Sequence, residues 1–173
     1  MGRTTDTFVN DVNTLTAACV APLNQMVQAA AAFARERTAY QALVSQSAAR
    51  VTALTGDMQW SAGSAPAKYA AAGGLSSEDY ITRDPAFRQL DQQMQARQGQ
   101  LTAAMQAVTA ARTALRTPYG SLKTKVTAFE TYIKAKKAST KNPFKKKSVG
   151  HAETVITQAK AFLTACETAA RPN

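Results

Sequence analysis

Histidine is nearly absent from this 173-residue chain, which holds one, His151. Cysteine is scarce too, with two, Cys19 and Cys166. A metal centre needs three or four ligating side chains, and no His/Cys set of that size exists. The same scarcity removes most His-based catalysis and a disulfide-dense scaffold. Aromatic residues make up 7%, with a single tryptophan, so a core has to be built from Ala, Val, Leu and Met. Acidic residues number 11 against 21 basic ones, a net charge of +10. No spacing brings two acids together as a catalytic carboxylate pair. A glycine-rich phosphate loop, Gly-x-Ser-x-Gly, His-Glu-x-x-His and an EF-hand pattern are all missing. These absences lead us to expect a non-catalytic protein without a metal, a cofactor or a small-molecule substrate.

What is present is helical periodicity. Phe8, Val12, Leu15, Cys19, Leu23, Met26, Ala30, Phe33, Arg37, Tyr40, Val44, Ser47, Val51 and Leu54 follow one another at steps of 3 and 4. That is a heptad seam with one extra step of 4 at Cys19–Leu23. It predicts a first helix over 6–56, capped by Asp6 and ended by Gly56. Pro22 sits at the irregular step and predicts a kink there. Residues 57–84 hold several glycines and Pro66 and read as a tip loop, with a helix start at Ser76-Ser77-Glu78-Asp79. Asp84 and Pro85 then form the favoured cap and first position of a second helix. Its stripe runs Phe87, Leu90, Met94, Arg97, Leu101, Ala104, Val108, Ala111, Leu115. Beyond Pro118 it resumes as Tyr119, Leu122, Val126, Phe129, Ile133. The pattern is that of a kinked or split helix over 85–137. A polar, basic connector over 138–148 is broken by Asn142-Pro143. A last helix covers 149–170, with the face Ala152, Val155, Ile156, Ala159, Phe162, Leu163 and Cys166.

The expected fold is all-α. It is a single domain, an elongated and bent antiparallel coiled-coil bundle of three main helices, two long and one short. Short connections favour antiparallel neighbours. The last helix is therefore expected to run back beside the first, bringing Cys19 near Cys166. The part of the hairpin beyond its reach has two helices only and is expected to pack on a second copy or a partner.

The charge is uneven. Lys134, Lys136, Lys137, Lys141, Lys145, Lys146 and Lys147 form a run with no acid among them, flanked by Phe144. All are lysines, which act as point charges on phosphates, whereas base-edge recognition favours the arginine fork. A polybasic end beside an aromatic suits anionic lipid headgroups. It also suits nucleic-acid backbone without sequence preference, or only the solubility of an Ala-rich chain. Trp60, Tyr69, Tyr80 and Ile81 form a second candidate, either a partner-binding tip or a plug for the open end of the bundle. Arg37 and Arg97 lie on apolar seams, where they are expected to snorkel at the seam edge or, as the alternative, to contact a partner.

Long proline-marked helices, a basic surface and a helical face free for dimerisation resemble the layout of BAR-type membrane-shaping domains, by architecture alone. The resemblance implies a homodimer on an anionic membrane surface. A coiled-coil adaptor for a protein partner is the alternative, and non-specific nucleic-acid binding a further one. The uncharged stretch 12–34 is broken by Asn13, Asn24, Gln25 and Gln28 and reads as a poor membrane span. The start lacks the basic-then-apolar pattern of a secretory signal. With two cysteines and no visible signal, the expectation is a protein of the reducing cytoplasm, peripheral at a membrane if the lysine end binds lipid.

Overall fold

In the computed structural model, residues 3–59, 77–139 and 143–171 are described, with the backbone alone for 57–59, 77–78 and 143–147. Among these residues the elements are four helices: α1 (Arg3–Gln59), α2 (Ser77–Arg83), α3 (Pro85–Ser139) and α4 (Pro143–Ala170). Among the described residues there is no strand, and the helices pack as an all-α bundle. The chain divides into two compact units. The first comprises Met1–Ala31 and Gln106–Asn173, the second Ala32–Met105.

The first unit is three helices thick. Here α1 and α3 run antiparallel: Phe8 stacks on Phe129 with ring centroids 5.0 Å apart, and Asp11 meets Lys125 at 2.9 Å. α4 runs antiparallel to α3 in turn. Lys137 pairs with Glu153 at 2.8 Å, Lys160 with Glu130 at 2.6 Å, and Arg112 reaches the Ala170 carbonyl at 3.1 Å. The three apolar stripes meet in one core of Val12, Cys19, Met26, Leu122, Phe129 and Ala152, each 1% exposed or less. Burying each large apolar side chain contributes about 1.5–3 kcal/mol. That term, more than helix propensity, holds long helices of this composition together.

In the second unit, α1 and α3 again pair antiparallel, with Glu36 opposite Arg97 and Arg50 opposite Asp84. The seam spacing is unchanged, yet Leu54 and Ser47 are the buried residues among those described in this unit. Phe33, Tyr40, Leu90, Met94 and Leu101 are half-buried, and Val44 and Met105 are exposed. Among the described residues, most of this seam is therefore covered less completely than the seam under α4.

Asp84 caps α3, its Oδ2 accepting from the Phe87 N–H at 2.8 Å, with Pro85 as the first helical residue. Other boundaries move. α1 begins at Arg3, so Asp6 lies in its first turn, where an acid suits the helix dipole rather than capping it. The helix continues through Gly56 to Gln59, because a glycine weakens a helix by about 1 kcal/mol without ending it. Thr117-Pro118 does not split the second long helix, which is continuous from Pro85 to Ser139. Proline removes one donor, leaving the carbonyl four residues back without its partner. Those residues, Ala18 for Pro22 and Ala114 for Pro118, are exposed, so water can take the donor's place. Most of the expected basic connector 138–148 is helical, since α3 runs to Ser139 and α4 begins at Pro143: lysine is a good helix former, and Pro143 is the first residue of α4, where its missing N–H costs nothing. Within the expected tip loop 57–84, α1 takes the first residues and α2 begins at Ser77.

Candidate functional site

The lysine end belongs to the first unit. Of its residues, Lys134, Lys136 and Lys137 stand on the last turns of α3, and each has an internal partner. Lys134 pairs with Glu130 one turn back at 3.2 Å. Lys136 donates to the buried Thr5 hydroxyl at 2.6 Å and lies 5.5 Å from the Tyr132 ring centre. Lys137 meets Glu153 of α4 at 2.8 Å. The Thr5 hydroxyl and the Lys136 charge beside Tyr132 hold its phenol below its ordinary value. Phe144, Lys145, Lys146 and Lys147 lie in the first turns of α4 by backbone, and Lys141 lies outside the described residues. Two of the three described lysines thus tie α3 to its neighbours, a use the run of charge in the sequence does not reveal.

The balance across the unit remains basic. Its sequence holds 14 basic and 5 acidic residues, so nearly all of the net charge of +10 lies here. Four of those acids, Asp11, Glu130, Glu153 and Glu167, are paired with lysines. Glu130 bridges Lys160 and Lys134, which hold its carboxyl below the usual range. The excess positive charge therefore has little internal anion left to meet.

Of the tip residues, Tyr80 and Ile81 are on α2 and half-buried. Trp60 and Tyr69 lie outside the described residues. Arg97, half-buried on its seam, pairs with Glu36 at 2.8 Å. Glu36 is thus a cross-helix partner, not only the local neighbour of Arg35 and Arg37. Asp84 does double duty: Arg50 forks onto both its oxygens at 2.8 and 2.5 Å, and with the Phe87 N–H this pulls the carboxyl below its ordinary value.

Cys19 and Cys166 are free thiols, 0% and 1% exposed, in the same core. Burial raises both, and Cys166 is pushed up to about 11 with a further contribution from the charge of Cys19. The expected proximity of the two thiols is met. Enclosure and the raised values both act against the thiolate, which is the reactive form.

Sequence reasoning passed over one feature, an open groove of about 520 Å³ between α3 and the end of α4. Its floor includes Leu115, Cys166 and Ala170, and Arg112, Arg116 and Arg171 stand around it. Arg112 closes the Ala170 carbonyl at the end of α4, while Arg116 and Arg171 are exposed and pair with no carboxylate among the described residues. The wall acid, Glu167, is engaged by the Tyr119 hydroxyl and by Lys123 at 3.8 Å. The Arg112/Arg116 spacing of four was the available signal; it needed the knowledge that α4 ends beside it.

By length and composition α1 is apolar enough to cross a membrane. It holds a window of mean hydropathy 1.2 of which 11% is buried, a test that core helices also pass. Among the described residues no cluster of three metal-ligating side chains occurs. No protein-family model, curated protein or solved structure matches the chain.

Proposed function

We propose that the chain is a non-catalytic interaction protein that binds an anionic membrane surface through the basic end spanning Lys134–Lys147. The observation that carries this is the charge of the first unit, 14 basic residues against 5 acids, most of them already paired. Each lysine near anionic headgroups contributes about 1 kcal/mol, so a run of seven suffices for salt-sensitive association. Lys145, Lys146 and Lys147 lead this set, because Lys136 and Lys137 are partly committed within the fold. The protein is then peripheral at the cytoplasmic face of a membrane and acts as a homodimer.

Co-sedimentation with anionic and neutral vesicles across a salt series tests this. The expected result is pelleting with anionic vesicles alone, lost at high salt and in K145E/K146E/K147E. Absence of binding at low salt sinks the reading. Competition by duplex DNA at equal salt separates lipid from nucleic-acid backbone.

A second reading has its own observation. The unit Ala32–Met105 leaves most of its seam half-buried and exposes Val44 and Met105. A seam left half-buried suits a coiled-coil adaptor or assembly subunit that completes its core on a protein partner or a second copy. Sedimentation equilibrium distinguishes the two occupants: a dimer whose dissociation rises in V44E indicates self-association, and a monomer turns the search to a partner.

A further inference from the structure

We infer that the groove between α3 and the end of α4 binds a free amphipathic anion, an alkyl chain carrying one carboxylate or phosphate head. The proposal stands on the first unit alone and does not depend on the lysine end. Three observations converge. The groove measures about 520 Å³, within the range of small-molecule sites. Its floor is apolar, built by Leu115, Cys166 and Ala170, and so matches a hydrocarbon rather than a sugar or a nucleotide. Its rim carries arginines, whose planar forks match carboxylate and phosphate oxygens with paired hydrogen bonds.

The arginines divide the work. Arg112 spends its Nε–H on the Ala170 carbonyl and so fixes the end of α4 against α3. Arg116, one turn further along α3, and Arg171, just past α4, pair with no carboxylate among the described residues and are exposed. They are the head-group ligands. The acid on the wall, Glu167, does not cancel them, because Tyr119 and Lys123 already hold it. Glu167 beside Tyr119 also keeps that phenol protonated above its ordinary range, so the wall adds no second negative charge. Positive charge over an apolar floor selects a molecule with both characters: a bare anion gains nothing from the floor, and a neutral hydrocarbon gains nothing from the rim.

Titration calorimetry with sodium decanoate below its micellar range, and with uncharged decanol as control, tests the assignment. One saturable site for decanoate is expected, with decanol much weaker. R116Q/R171Q removes two exposed side chains from the rim and is expected to weaken decanoate binding by about tenfold or more, with unchanged circular dichroism. K145E/K146E/K147E is expected to bind decanoate as the parent does, since Lys147 and Arg171 are about 36 Å apart along α4 at 1.5 Å per residue. Decanol binding as tightly as decanoate overturns the role of the arginines. Absence of a saturable decanoate site overturns the proposal. If R116Q/R171Q instead loses anionic vesicles while decanoate never binds, the arginines serve the bilayer and the free-ligand assignment falls.

Discussion

The two units are built on the same pair of helices with the same 3–4 seam, yet they are packed very differently. Among the described residues, sixteen of the seventeen buried hydrophobic side chains lie in the first unit and one, Leu54, in the second. The seams do not explain this, because Phe33, Tyr40, Leu90 and Leu101 are as large as their counterparts. The third helix does. α4 lays Val155, Ile156, Ala159 and Leu163 over the seam that α1 and α3 share, and the residues beneath close to water. Charge divides along the same line: the first unit carries nearly the whole net charge, and the second is close to neutral. An apolar stripe thus states where a helix can be buried. How far it is buried depends on the number of neighbours.

The largest effects expected from this contrast are in the core. Phe129→Ala should cost about 3–5 kcal/mol, read as a shift in the denaturant midpoint. Leu101→Ala in the second unit, half-buried, should cost less than half as much. Equal losses would mean that the second unit is covered in solution, by a copy or a partner. Hydrogen exchange gives the same comparison without mutation. Amides of α1 and α3 within Ala32–Met105 should exchange well before those packed under α4.

Next in size is Asp84, the second unit's best anchor. Asp84→Ala removes a cap worth about 0.5–2 kcal/mol and leaves Arg50 without its fork. Its pH dependence has a definite sign. The folded carboxyl sits below its unfolded value, with Arg50 the main cause, so its contribution is present above about pH 4. It is lost as pH falls through the lower folded value. The stability difference between parent and Asp84→Asn should therefore shrink in acid and stay constant from pH 5 to 8. Smallest is Glu36→Gln. The Glu36–Arg97 pair is partly exposed, 27% and 37%, and its loss should cost about 1 kcal/mol or less, declining with salt.

Much of this architecture is legible in the sequence. The seam steps predict both long helices, Asp84-Pro85 predicts the start of α3, and short connections predict the return of α4 beside α1. What escapes is whatever depends on the register between distant segments. Glu36 finds Arg97 only once the second unit's hairpin is aligned, and Arg112 finds the Ala170 carbonyl only once α4 has docked. The helical residues within the expected connector 138–148 are a local misreading of another kind. A lysine run reads as polar and therefore as loop, but propensity and the proline at the first position of α4 carry the helix into it. The candidate site follows the same division, since the run of lysines is visible in the letters and their partners Thr5 and Glu153 are not.

The buried cysteines carry a practical consequence. Cys19 is fully enclosed where α1 meets the three-helix core, and its thiol is raised by that enclosure. A thiol reagent can reach it only when that core opens. Its modification rate, set against that of an unfolded thiol, is therefore a built-in clock for how often three helices come apart.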